Sequence, residues 1–130
     1  MQELFKAMFT ASGGMRAQSV RLRLIGENVA NADTPGYHRK KVSFETVLDR
    51  ASGASTVKAG RVHLDQSPFS ESYEPGHLLA NAQGIVSFSN VNTLIEIADA
   101  REANRSYQAN LTIFDQARRM YGGMLDLLRR

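Results

Sequence analysis

The sequence predicts a mainly α-helical chain in which long N- and C-terminal helices form a coiled-coil-like pair, with a small β-rich or irregular insert between them. Three observations predict it. Apolar residues recur at alternating spacings of four and three at both ends of the chain, the period of a helix that buries one stripe. All 3 prolines, Pro35, Pro68 and Pro75, fall between those stripes, so the middle is not one helix. The residues from Asn28 to Tyr37 end the first stripe abruptly and launch an extended segment.

The first helix, within residues 1–31, is marked by Leu4, Met8, Ala11, Met15, Gln18, Leu22, Ile25 and Val29. Its end is written in several residues at once. Asn28, Asn31 and Asp33 offer side-chain partners to nearby backbone groups, Thr34 stands before a proline and is pushed toward extended geometry, Pro35 cannot continue a helix, and Gly36 permits positive φ. Gly13-Gly14 lies inside the helix, at a cost of about 1 kcal/mol per glycine relative to alanine. That cost suggests a kink or a close approach by another element.

Residues 32–90 form the insert. Val42-Ser43-Phe44, Arg61-Val62-His63-Leu64 and Ile85-Val86-Ser87-Phe88 alternate or cluster as short strands do, with turns at Glu74-Pro75-Gly76 and Gln83-Gly84. The run Ala-Ser-Gly-Ala-Ser-Thr-Val-Lys-Ala-Gly from residue 51 adds to the evidence that the middle is not one long helix.

A second long helix follows within residues 91–130, marked by Ile97, Ala100, Asn104, Tyr107, Leu111, Phe114, Arg118, Tyr121, Leu125 and Leu128, with Ile113, Ala117, Met120 and Met124 alongside. Asn92 or Thr93 suits its cap, Thr93 with Glu96 fits a capping box, and Arg129 and Arg130 suit the negative end of its dipole. A helix over 93–128 would span about 54 Å, whereas a compact domain of this size has a diameter of about 36 Å. Either the helix breaks, with Gly122-Gly123 the candidate point, or it projects and buries its stripe on the first helix and on other subunits. The three segments are expected to make one structural unit.

Composition narrows the function classes. A chain of 130 residues with 42% hydrophobic content is long enough for one core. Cysteine is absent, which removes disulfides, thiolate metal sites and thiol nucleophiles. The 16 basic and 13 acidic residues leave a mild charge of +3. The opening Met-Gln-Glu-Leu-Phe-Lys-Ala-Met-Phe-Thr carries no basic leader or long apolar run, so the expectation is neither a conventional secretory signal nor a membrane span. His38, His63 and His77 have none of the spacings that place two ligands on one helix face, and Asp65, Glu71 and Glu74 fall in a polar, turn-rich stretch. Catalytic, metal and cofactor sites are therefore not expected. The run His38-Arg39-Lys40-Lys41, with Tyr37 and Phe44 nearby, is the best case for a nucleic-acid binder. A solvated strand or a partner-facing salt-bridge surface is favoured over it, because Glu45 and Asp49 follow closely.

Ala30-Asn31-Ala32-Asp33-Thr34-Pro35-Gly36-Tyr37 resembles the motif after the first helix of the bacterial flagellar axial proteins, which form rod, hook and hook–filament junction. Tyr73-Glu74-Pro75-Gly76-His77, Ala80-Asn81-Ala82-Gln83-Gly84-Ile85-Val86, Asn90-Val91-Asn92 and Ala103-Asn104-Arg105-Ser106-Tyr107-Gln108-Ala109-Asn110 resemble the proximal rod family FlgC. The compact Thr34-Pro35-Gly36-Tyr37 is also similar to the sister rod family FlgB. The resemblance implies a structural subunit of the basal-body proximal rod, whose terminal helices build a helical, torque-transmitting shaft spanning the periplasm. It implies export by the flagellar type III apparatus without a cleaved signal peptide. As partners it implies further copies of the chain, FlgB, FlgF, FlgG and the base protein FliE, with no nucleic acid and no small-molecule substrate. Under this reading Asn28, Ala30, Asn31, Thr34, Pro35, Gly36 and Tyr37 set the direction in which the chain leaves the first helix. Leu4, Met8, Ala11, Met15, Leu22, Ile25, Val29, Tyr107, Leu111, Phe114, Tyr121, Leu125 and Leu128 would bury at helix and subunit contacts.

Overall fold

The computed structural model describes residues 1–130. Two long helices, α1 (Gln2–Ala30) and α2 (Thr93–Leu128), flank four strands, β1 (Lys40–Leu48), β2 (Ser55–Leu64), β3 (Glu71–Tyr73) and β4 (Ile85–Ser87). The helices run antiparallel along each other. Phe5 stacks on Tyr121 with ring centroids 5.1 Å apart, Gly14 faces Asn110, Arg21 reaches Asp99 and Glu102 at 3.6 Å, and Asn28 reaches Glu96 at 3.4 Å. Each step up α1 is matched by a similar step down α2.

The insert is resolved into two antiparallel two-stranded sheets, β1–β2 and β3–β4. The longer hairpin pairs Lys40 with Leu64 and Leu48 with Ser55, with a register shift between Val42 and Phe44. Its turn is closed by Asp49, whose carboxylate accepts from the Ala51 N–H and the Ser52 hydroxyl, while Gly53 adopts φ 75°. β2 starts at Ser55, inside the small-residue run that argues against a helix, and reaches Leu64. The small residues there are selected by proximity. Thr56 donates to the Thr10 carbonyl at 2.9 Å, Thr10 donates to the Ser55 carbonyl at 2.7 Å, and a Cβ on Gly13 would collide with the Thr56 side chain.

Gly13 and Gly14 thus mark close approach on two sides of α1, the hairpin on one and α2 on the other. α2 continues through Gly122-Gly123 without a break. Nothing lies within 4 Å of a Cβ built at either position. Asn92 caps α2 by accepting from the Leu94 and Ile95 N–H groups; Glu96 is turned inward instead of closing a capping box. No helix is long and apolar enough to cross a membrane.

The core is thin. Only 14 of 130 residues are buried, among them Ala11, Ala17, Leu24, Ile25, Val86, Ala103 and Ala117. The chain of 14.4 kDa exposes 8851 Å², whereas a compact monomer of this mass exposes about 6,800 Å². An elongated pair of helices with a lateral hairpin accounts for the excess.

Candidate assembly interface

The residues that end α1 build the joint between the helices and the insert. Asn31 leaves the helical region at φ −109°, and its side chain donates to the Glu27 carbonyl and accepts from the Thr34 hydroxyl. The Thr34 N–H donates to the Asn31 carbonyl and the Tyr37 N–H to the Thr34 carbonyl. Gly36, at φ 76°, donates its N–H toward the Ser87 and Phe88 carbonyls, tying the loop to the end of β4. The Ser89 hydroxyl donates to the Ala32 carbonyl. Ala30 is exposed and Pro35 half-buried.

Asn28, 1% exposed, is the hub. Its Oδ1 accepts from the Tyr37 hydroxyl at 3.0 Å and the Lys40 N–H at 2.8 Å; its Nδ2 donates to the Lys40 carbonyl at 2.8 Å and toward Glu96. One side chain therefore joins α1, the loop, β1 and α2. Burial pushes the Tyr37 phenol above its ordinary value, against an opposing pull from Lys40.

A network of charges surrounds this hub. Arg39 donates through Nε to Glu96, which is 0% exposed, and pairs with Asp99 at 3.4 Å and Asp65 at 3.6 Å. Burial alone would lower the guanidinium, but Glu96, Asp99 and Asp65 together hold it above its usual value. The backbone N–H of Arg39 donates to Asn90, whose amide donates to the Asp65 carbonyl at 2.8 Å. Asp65 is held low by hydrogen bonds from Ser67, with Lys41 and Arg39 adding to them. Lys40 pairs with Glu27 at 2.9 Å, a hydrogen bond that lowers the carboxyl and raises the amine. Beside the network lies a cavity of about 300 Å³, with Leu24, Ile25, Val42 and Phe44 in its lining.

The basic run is thereby spent within the chain. Arg39 and Lys40 face carboxylates, His38 packs on Phe69 and meets the Asp65 carbonyl, and Lys41 alone of the four is exposed. Sequence reasoning placed Glu96 in a capping box and Asp65 on a solvated surface. The missed signal is that Glu96 shares a helix face with Ala103, Asn110 and Ala117.

The packing residues divide by exposure. Ala11 and Ile25 are buried; Leu4, Met8, Met15, Leu22, Tyr107, Phe114, Tyr121 and Leu125 are half-buried; Val29, Leu111 and Leu128 are exposed. Of the polar residues in the stripes, Asn104 is exposed, while Oε1 of Gln18 is buried without a hydrogen-bond partner. Further exposed apolar side chains, Ile95, Ile97, Ile113, Met120, Met124 and Leu127, run along α2. No group of three histidine, aspartate or glutamate side chains is placed to hold a metal ion.

Residues 8–38 match the family model described as flagella basal body rod protein, and residues 82–127 the model described as flagellar basal body rod FlgEFG protein C-terminal. These two segments meet at the joint, while the β1–β2 hairpin lies outside both. The flagellar basal-body rod protein FlgC of Agrobacterium fabrum is 45% identical over 136 residues, covering 99% of this chain and 98% of that protein. The FlgC of Salmonella typhimurium is 37% identical over 118 residues, covering 85% and 87%. That of Borreliella burgdorferi is 28% identical over 150 residues, covering 97% and 98%. With 45% identity spread over nearly all of both chains, this chain belongs to the flagellar basal-body rod protein family FlgC.

Proposed function

We propose that the chain assembles through its two terminal helices into the proximal rod, as one structural unit made of residues 1–31, 32–90 and 91–130. It is a structural rod subunit and not an enzyme. The observation that carries the assembly reading is the uncovered apolar surface along both helices, from Val29 on α1 to Leu111, Ile113, Met120 and Leu127 on α2. Such surface is a liability in a free monomer and an asset in a lattice.

In that lattice the helices act as a coiled-coil-like axial pair. Leu4, Met8, Met15, Leu22, Val29, Leu111, Leu125 and Leu128 meet neighbouring helices, and the motif from Asn28 to Tyr37 sets the angle of the insert. Torque passes through these contacts without chemistry. The family is a rod family, which supports other rod components as partners; FlgB, FlgF, FlgG and FliE are the specific neighbours proposed. Passage through the flagellar type III apparatus without signal cleavage, and a place in the periplasmic span of the rod, belong to the same proposal. Nucleic-acid binding through residues 38–41 has no support, since Arg39 and Lys40 are paired within the chain.

The test is to tag the chain in a motile host, purify hook–basal bodies and strip them with detergent. Retention of the unaltered chain in the rod fraction, with loss of retention and motility for Leu22→Asp and Leu111→Asp, is expected. A soluble chain absent from that fraction, or full motility of both variants, would overturn the proposal.

A further inference from the structure

α2 carries two apolar stripes. The one turned to α1 carries Glu96, Ala103 and Ala117, which are buried, with Tyr107, Phe114, Tyr121 and Leu125 half-buried beside them. The other, displaced by about a quarter turn, contains Ile95 and, further along, Ile113, Met120, Met124 and Leu127 at spacings of seven, four and three, all exposed. Both stripes offer large apolar side chains, so apolar area alone discriminates weakly between them. A further term selects the face.

That term is at Glu96. Its carboxylate is fully buried and receives Arg39 Nε and Asn28 Nδ2. Asn28 is also committed to both backbone groups of Lys40, and the Arg39 backbone N–H to Asn90, so the α1–β1 joint holds these donors in place around the carboxylate. Turning α2 to its second stripe removes Glu96 from them. Sliding α2 by one heptad, about 10 Å, would bring Ala103 opposite Asn28 instead. Either change leaves Arg39 and Asn28 without the carboxylate. The pairs of Arg21 with Asp99 and Glu102 are partly exposed and worth little by comparison.

We infer that Glu96, held by Arg39 and Asn28, is the residue that specifies which face of α2 packs on its own α1 and in which register. A buried polar group then acts in its best-attested role, selecting one alignment among several apolar ones. As a consequence the stripe from Ile113 to Leu127 stays uncovered. The selection itself is intramolecular and stands whether or not the rod reading holds.

The chain has no cysteine, so introduced pairs report geometry without background. Gly14→Cys is combined with Asn110→Cys for the observed alignment, with Ala109→Cys for the turned face, and with Ala103→Cys or Ala117→Cys for slipped registers. The full chain is equilibrated in a thiol–disulfide buffer and each disulfide yield is measured by mass spectrometry. The 14–110 pair should dominate in the unsubstituted background, and its lead should fall about tenfold with Glu96→Gln or Arg39→Met, as expected when a buried ion pair is broken.

The double variant Arg39→Met/Glu96→Met removes both charges without orphaning either, and circular dichroism checks its helicity. Its alignment should spread in the same way. Dominance of the 14–110 pair in that folded double variant, or equal yields for all pairs in the unsubstituted background, would overturn the inference. Where a single variant fails to fold, the double variant decides.

Discussion

Asn28 satisfies the Lys40 backbone in both directions and meets Tyr37 and Glu96 as well, so removing its amide orphans several buried groups at once. Asn28→Ala should cost about 2–4 kcal/mol, since each unsatisfied buried partner costs about 1–3 kcal/mol and relaxation recovers part of it. The shift of the urea midpoint measures it. Gly36→Ala should cost about 1–2 kcal/mol, because the position sits in the left-handed region with open space around it, so the loss is one of backbone and not of packing. The shifted carboxylates and Lys40 predict the pH response. Glu27, Asp49 and Asp65 are held below their ordinary values, so the stability they contribute is present above the usual carboxylate range and is lost as pH falls through their folded values. Lys40 is raised, so its contribution is present below the usual lysine value and is lost only as pH rises through the folded one. The urea midpoint should therefore be lower at about pH 3 than at about pH 7.

Within the helices, the glycines separate by what surrounds them. Gly14 faces the Asn110 side chain, at 2.8 Å from a built Cβ to Nδ2, and Gly13 faces Thr56, whereas Gly122 and Gly123 face open space. Gly13→Ala should lower the thermal midpoint of the isolated chain by forcing the hairpin outward. Gly122→Ala should raise it, by about 0.5–1 kcal/mol of helix propensity. If Gly122 marks a close approach by a neighbouring subunit, the same alanine should weaken retention in purified basal bodies, and the two readouts would move in opposite directions. The spacing of apolar residues located both helices, and the Asn28–Tyr37 junction located the end of the first. The strand at Ser55 was not legible, because Thr56 is chosen by its contact with Gly13 and Thr10, far away in sequence.

The whole molecule is elongated, with a surface well above that of a compact monomer of its mass, and its remaining apolar stripes point outward. Substitutions there should separate folding from assembly. Ile113→Asp and Met120→Asp, both at exposed positions, should leave the melting of the isolated chain within about 0.5 kcal/mol of unchanged while removing the chain from the rod fraction. Ala103→Asp, at a position with 0% exposure between the helices, should lose both. Melting curves of purified chains, set beside immunoblots of stripped basal bodies, distinguish the two classes.

While the run of α2 through Gly122-Gly123 was settled by the fold, the sequence by itself determined the number and position of the helices, the end of the first and the non-helical character of the middle. These are local properties, set by periodicity over a few turns and by the backbone restrictions of proline, glycine and asparagine. Asn31 and Thr34 act within this local range, bonding Glu27 and each other, whereas Asn28 and Gly36 bond residues far along the chain. Only the tertiary structure decided which face of each helix turned inward, that Arg39 would be spent on Glu96 rather than offered to a partner, and that the strand legible at Arg61–Leu64 would begin as early as Ser55 and pair with Lys40–Leu48. Those outcomes depend on groups dozens of residues apart meeting in a buried place, where one unpaired charge outweighs the small preferences written along the chain.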